Sequence, residues 1–176
     1  MSSKIKNKTE DRLRIRKAFL LAAKYHKHQL YGDDPYLVHL YDVVEVLHEY
    51  RYTDSKYLAA AWTHDALEDT TLGYYTIKTE IGEDVAEMVF AVTDELGRSR
   101  KERKKKTLPK LDGLRDAQVV KLADWIANLR NAHTERPDLL QMYRKDFKDF
   151  ERAARHQADS GMEGMWREIE RLVNSG

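Results

Sequence analysis

The chain has 176 residues, enough for one domain with a real hydrophobic core, and its 31 basic and 30 acidic side chains leave a formal charge of +1. That balance argues against a general nucleic-acid binder, which would carry a clearer basic excess. The absence of cysteine excludes disulfides and thiol catalysis, no apolar run of about 18 residues is present to span a membrane, and the polar start Met1–Lys8 lacks the apolar stretch of a secretory signal, so a cytoplasmic protein is expected.

Residues 1–10 are polar and expected to be flexible, which leaves 11–176 as one folded domain. From Asp11 to Lys27, Ile15, Ala18, Phe19, Ala22, Ala23 and Tyr25 follow a helical period. His26 and His28 bracket the end of this helix in conventional polar roles. A turn-rich stretch from His28 to Tyr36 leads to a second helix, opened by Pro35 and running to about Tyr50, with Leu40, Val43, Val44 and Leu47 inward. Thr53 or Asp54 caps a third helix, Ser55 to Leu67.

Shorter helices follow at Tyr74–Glu80 and Glu83–Thr93, the latter with Val85, Val89 and Val92 near one face. The composition then changes abruptly. Seven of the nine residues from Arg98 to Lys106 are positive, which reads either as a solvated helix start or as a phosphate-facing lid. A strongly periodic helix from Arg115 to about Asn131 turns Val119, Val120, Ala123, Ile126 and Ala127 inward. Pro137 begins another, from about Asp138 to Gln157, with Leu140, Tyr143, Phe147, Phe150 and Ala154 at helical spacing. A last helix contains Trp166, Ile169, Leu172 and Val173. Trp62 and Trp166 are expected in the core, and His48, His133 and His156 on the surface. With 3 prolines, 8 glycines and no convincing alternation, the expected fold is an all-α bundle built by helix-on-helix packing.

The third helix carries the chemistry, in the run from Ala61 to Thr70, A-W-T-H-D-A-L-E-D-T. Helical spacing sets His64 over Glu68 and Asp65 over Asp69. Four ionisable groups on an otherwise apolar helix are costly to desolvate unless a cation or hydrogen-bond partners offset them. Imidazole and carboxylate are good ligands for a divalent metal, and a second carboxylate nearby can move protons. The alternative is that His64 and Asp65 cap or salt-bridge a neighbouring helix. His39, at the start of the second helix, and Asp124, flanked by Leu122-Ala123 and Trp125-Ile126, could complete a site. His39, His64, Asp65 and Asp124 would supply two nitrogens and two oxygens from three helices. With water in the remaining positions, such a centre suits Mn²⁺ or Fe²⁺ better than a closed structural zinc.

Three pieces of the chain together resemble the HD-domain metal-dependent phosphohydrolases, and within them the alarmone (guanosine tetraphosphate) hydrolases of the RelA/SpoT and small single-domain types. They are Pro35-Tyr36-Leu37-Val38-His39, His64-Asp65-Ala66-Leu67-Glu68-Asp69-Thr70, and Val120-Lys121-Leu122-Ala123-Asp124 continuing to Asn128-Leu129-Arg130. The resemblance covers about residues 12 to 155. It implies an all-helical domain that binds Mn²⁺ and removes pyrophosphate from the ribose 3′ position of a phosphorylated purine nucleotide. On this chain, His39, His64, Asp65 and Asp124 would hold the metal. Glu68 and Asp69 would position and activate the attacking water, and Asn128 would contact the nucleotide near the ribose. Tyr36 and Lys121 would shape the pocket, with Lys101, Arg103 and Lys104 as unranked phosphate contacts. Tyr143 and Arg144 are further candidates to face the nucleotide.

Three departures from the family pattern bear on the substrate and leave the metal ligands intact. Leu30-Tyr31 stands where a basic residue is usual, Trp125 where Arg or Lys is common, and Asn131 where Asp often follows N-L-R. They motivate an alternative substrate, a 2′- or 3′-phosphorylated adenine dinucleotide or a pyrophosphorylated adenosine. A non-catalytic binding module would have eroded ligands, and none is eroded. The remaining length leaves no room for a synthetase domain, so hydrolysis alone is expected.

Overall fold

Every residue from Ala117 to Ala127 is buried, polar ones included, and this puts their helix at the centre of the molecule. A helix with one apolar stripe lies on a surface, whereas one buried all round must be wrapped by others. In the computed structural model, which describes residues 3–155 and 158–175, the wrapping is done by helices alone. In chain order they are α1 (Ser3–Tyr25), α2 (Leu37–Glu49), α3 (Ser55–Thr63), α4 (Ala66–Asp69), α5 (Tyr74–Glu80), α6 (Glu83–Val92), α7 (Arg100–Thr107), the central α8 (Arg115–Thr134), α9 (Pro137–Ala154) and α10 (Met162–Asn174). Helices α2, α3, α6, α9 and α10 pack directly on α8, and α1 lies along α3. The predicted stripe Leu40, Val43, Val44 and Leu47 is buried, as are Val85, Met88, Val89 and Val92.

Four local readings change. Helix α1 begins at Ser3 rather than near Asp11. Phe19, expected inward, is 39% exposed and meets Trp62 edge-on at 5.0 Å. The turn-rich segment contains a two-stranded hairpin, β1 (Leu30–Tyr31) and β2 (Asp34–Pro35), with Leu30 opposite Pro35 and Tyr31 opposite Asp34. Gly32 takes φ +63° in its tight turn, a conformation glycine adopts at little cost.

The fourth change is at the site itself. The third helix stops at Thr63 and restarts as α4 at Ala66. Thr63 Oγ1 donates to the Ala59 carbonyl at 2.9 Å, and His64 Nδ1–H donates to the Ala61 carbonyl at 2.9 Å. The Ala61 carbonyl is the acceptor that the Asp65 N–H would use in an unbroken helix, so the side chains compete with the ladder at this point. The simple one-turn stack of His64 over Glu68 is therefore replaced by a corner. The expected end of α9 near Gln157, and His156, lie outside the described residues.

Trp125 links the centre to its outer helices. It is 3% exposed and stacks on Phe150 at 4.3 Å and 14°, with Tyr143 edge-on at 5.0 Å. Phe150 in turn meets Trp166 of α10 at 5.1 Å. Phe150→Ala is expected to lower unfolding stability by about 3–5 kcal/mol in a urea titration, since it opens a cavity between the Trp125 and Trp166 rings. A loss below about 1 kcal/mol would contradict this role for the cluster.

Candidate metal centre and phosphate cleft

His39 enters from the first turn of α2, His64 and Asp65 from the corner after α3, and Asp124 from the middle of α8. All four are brought together. His39 and His64 are 2% and 1% exposed, and their Nε2 atoms lie 3.4 Å apart. His64 Nε2 is 3.0 Å from Asp65 Oδ2 and 3.6 Å from Asp124 Oδ1; His39 Nε2 is 3.6 Å and 3.5 Å from the same two oxygens. Among the described residues, His39, His64 and Asp65 have ligand atoms all within 4.8 Å of one another, a buried cluster able to coordinate a divalent metal.

The separations suit one ion. Ligands about 2.2 Å from a cation stand about 3.1 Å apart at right angles and about 3.6 Å apart at the tetrahedral angle. The five observed contacts span 3.0 to 3.6 Å. The hydrogen bond from His64 Nδ1 to the Ala61 carbonyl fixes that ring's tautomer and leaves the Nε2 lone pair facing the cluster.

Burial alone would make both histidines less basic and both aspartates more so, but their mutual attraction wins. The Asp65 and Asp124 carboxylates raise His39 and take His64 up to about 10, while the histidines hold the Asp65 carboxyl, and Lys121 with the histidines the Asp124 carboxyl, well below the ordinary aspartate range. Ligand nitrogens must be bare to bind a metal, so a cation at this cluster would compete with protons for the same imidazoles.

The supports come from several elements. Tyr36 donates its hydroxyl to Asp65 Oδ2 at 2.5 Å; burial, then the Asp65 charge, raises its pKa and keeps it a donor. Lys121 donates to Asp124 Oδ2 at 2.9 Å, and Asn128 Nδ2 donates to Asp124 Oδ1 at 2.5 Å. Burial works against the Lys121 charge, but the Asp124 and Asp65 carboxylates outweigh it and raise its pKa. Tyr36→Phe removes one donor to Asp65 and is expected to weaken divalent-metal affinity about 10–100-fold by calorimetry. Unchanged affinity would show that the hydroxyl does not orient Asp65.

His39, Asp65 and Asp124 line a cleft of about 220 Å³. Glu68 and Asp69 line its solvent-exposed mouth. Glu68 Oε2 accepts from the Asp94 N–H at 3.0 Å, and desolvation, with the Asp94 and Asp65 charges, raises its pKa. Asp69 Oδ2 accepts from Gln29 Nε2 at 2.9 Å. Of the basic run, Lys104 reaches the cleft wall, held by Asp94 Oδ1 at 2.9 Å, and Arg100 joins it. Lys101 lines a larger groove of about 780 Å³ that shares Lys104, Lys121 and Trp125 with the cleft but holds none of the His–Asp cluster; Arg103 lines neither. Tyr143 faces the cleft, whereas Arg144 turns away to the Val173 and Ser175 carbonyls at 2.8 and 2.7 Å. Asp94 and Gln29 are contacts the sequence did not single out, whereas Arg100 belongs to the basic run that read as a phosphate-facing lid. Asp94 and Gln29 are each a single polar residue with no periodic partner, so only folding brings them to the site.

Tyr31 closes the hairpin side. Its ring stacks on His39 at 4.8 Å and 23°, and its hydroxyl donates to Asn128 Oδ1 at 2.8 Å. The residue that departs from the family pattern thus braces an imidazole of the His–Asp cluster and the Asn128 amide.

Residues 18–150, most of the chain, match the HD domain family. The chain belongs to the HD-domain phosphohydrolases. Its fold and His39–His64–Asp65 cluster are those of a metal-dependent phosphohydrolase, related to the SpoT and MESH1 type. This HD-domain phosphohydrolase is 36% identical over 138 residues to the guanosine-3′,5′-bis(diphosphate) 3′-pyrophosphohydrolase MESH1 of Xenopus tropicalis, covering 70% of this chain and 72% of that one. It is 34% identical over 167 residues to the Homo sapiens protein of the same name, with 86% of each covered. A solved structure described as a metazoan ortholog of SpoT that hydrolyzes ppGpp superposes with a TM-score of 0.74 at 27% identity, over 92% of this chain and 96% of that one. Among the described residues, no helix is long and apolar enough to cross a membrane.

Proposed function

We propose that the protein is a Mn²⁺-dependent 3′-pyrophosphohydrolase of guanosine tetra- and pentaphosphate, converting ppGpp and water to GDP and pyrophosphate. The observation that carries this reading is one polar cleft. It sets the buried His–Asp cluster beside two solvent-reachable carboxylates, Glu68 and Asp69, and three cations, Arg100, Lys104 and Lys121. The names of the relatives support the substrate.

In this reading His39, His64, Asp65 and Asp124 hold the metal, and two imidazoles with two carboxylates suit Mn²⁺. A divalent ion there supplies Lewis-acid activation of a phosphoryl oxygen. Glu68, oriented by the Asp94 N–H, takes a proton from the attacking water, and Asp69 shares in positioning that water. Lys104 and Arg100 offset phosphate charge as it enters, at a wall where Asp94 and Asp146 already orient them. Asn128 lines the cleft where the ribose would lie, its amide held by Tyr31 and Asp124, and Tyr36 and Lys121 keep the two aspartates in place.

Tyr31 favours a second reading, the same chemistry on another phosphorylated nucleotide such as a 2′- or 3′-phosphorylated adenine dinucleotide or a pyrophosphorylated adenosine. An aromatic ring stands where a cation is usual, and Asn128 is already bonded to it. The test is a panel of these compounds with Mn²⁺, with products separated by ion exchange. Equimolar GDP and pyrophosphate from ppGpp is the expected result. A protein that binds Mn²⁺ but leaves ppGpp intact while releasing phosphate from the adenine compounds would overturn the first reading in favour of the second.

A further inference from the structure

Asp69 is tied to a buried histidine that the proposed chemistry does not use. His26 follows α1 directly and is 2% exposed. Its ring lies flat on Tyr36, centroids 4.9 Å apart and planes at 11°. Its Nδ1 is 2.7 Å from Gln29 Oε1, and Gln29 Nε2 donates to Asp69 Oδ2 at 2.9 Å across forty residues of sequence. Among the described residues, His26 Nε2 is buried with no partner.

The donor directions follow from chemistry alone. An ionised carboxylate only accepts, so Gln29 must turn its NH₂ to Asp69 and its carbonyl to His26. A carbonyl also only accepts, so the His26 proton on this edge sits on Nδ1. The backbone makes the turn a firm base: Gln29 N–H donates to the His26 carbonyl at 2.9 Å, and Tyr36 N–H donates to the Gln29 carbonyl at 3.0 Å. Asp69 itself is exposed, in a four-residue helix beside the cleft, and among the described residues Gln29 is the side-chain partner of its carboxylate.

We propose that His26 and Gln29 are positioning residues for Asp69. The His26 Nδ1–H sets the rotation of the Gln29 amide, which gives Asp69 one fixed donor and aims its second oxygen into the cleft. The inference rests on the reading above in taking Asp69 as part of the hydrolytic site.

The test uses side chains that mimic one ring nitrogen each. In His26→Asn the Nδ2–H falls near the place of Nδ1–H, whereas in His26→Gln the amide falls near Nε2. We expect His26→Asn to keep kcat for ppGpp within about threefold. His26→Gln, His26→Leu and Gln29→Leu should each lower kcat about tenfold, with KM and Mn²⁺ affinity held, and the double substitution H26L/Q29L should be no worse than either alone. Equal damage in His26→Asn and His26→Leu, or a loss confined to KM or to Mn²⁺ affinity, would overturn the proposal. Gln29→Leu, which leaves the buried ring in place, answers the same question if the His26 variants fold poorly.

A second measurement is independent of activity. In labelled parent protein, nitrogen shifts should show His26 protonated on Nδ1 and bare on Nε2. The Asp69 carboxyl carbon should move in His26→Leu and stay in His26→Asn. A proton on Nε2, or an Asp69 carbon indifferent to both, would overturn the relay. A parent that hydrolyses no nucleotide yet shows these shifts would instead count against the functional reading and leave the relay standing.

Discussion

Asp65→Ala is expected to weaken Mn²⁺ at least about a hundredfold and to lower hydrolysis roughly a thousandfold or more. The size follows from what meets at this carboxylate. Asp65 Oδ2 is 3.0 Å from His64 Nε2, 3.6 Å from His39 Nε2, and 2.5 Å from the Tyr36 hydroxyl that donates to it. Removing it takes away an anionic ligand and leaves two imidazoles facing each other at 3.4 Å with half their counter-charge gone. A metal contributes several kcal/mol of transition-state stabilisation, and each 1.36 kcal/mol is about tenfold in rate. The side chain is 20% exposed and lies outside the apolar core, so circular dichroism should report the parent's helix content. Calorimetry with Mn²⁺ and product analysis on the same sample check both parts. A variant that binds Mn²⁺ like the parent would remove Asp65 from the ligand set.

Glu68→Gln should separate binding from chemistry. The glutamine carbonyl can still accept from the Asp94 N–H, as Glu68 Oε2 does at 3.0 Å, so the side chain keeps its direction and loses only its capacity to take a proton. A positioned general base contributes about 10²–10⁴-fold, and kcat should fall by that factor with Mn²⁺ affinity and KM near the parent's. The raised pKa of Glu68 fits the role, since a base works best when its pKa approaches the operating pH. If Glu68→Gln turned over at the parent's rate, proton removal would have to be assigned elsewhere, with Asp69 the next candidate.

The elements that were legible in the sequence are those whose apolar residues repeat every three to four positions. Leu40, Val43, Val44 and Leu47 gave α2 its inward face, and Trp166, Ile169, Leu172 and Val173 did the same for α10. The hairpin at Leu30–Pro35 was hidden because two-residue strands are too short to alternate. The break after Thr63 was hidden for another reason: it arises where the Thr63 and His64 side chains bond backbone carbonyls, which periodicity does not register. At the site, His39, His64, Asp65 and Asp124 stood out as polar residues on otherwise buried surfaces, and folding brings all four together. The supports did not stand out. Gln29 and Asp94 are ordinary polar residues until the chain closes, and Arg144, one residue from the cleft-facing Tyr143, is drawn off by the carbonyls at the end of α10. Trp125 looked like a change in the substrate pocket; it lines the cleft, but its ring also stacks on Phe150 and meets Tyr143 edge-on.

The central claim is that four side chains from α2, the α3–α4 corner and α8 share one divalent ion. Anomalous diffraction from a crystal soaked in Mn²⁺ tests it most directly. The account predicts a single strong peak within about 2.0–2.4 Å of Nε2 of His39 and His64 and of a carboxylate oxygen from each of Asp65 and Asp124. A peak bound elsewhere, or no peak in a crystal of protein that hydrolyses ppGpp, would contradict it.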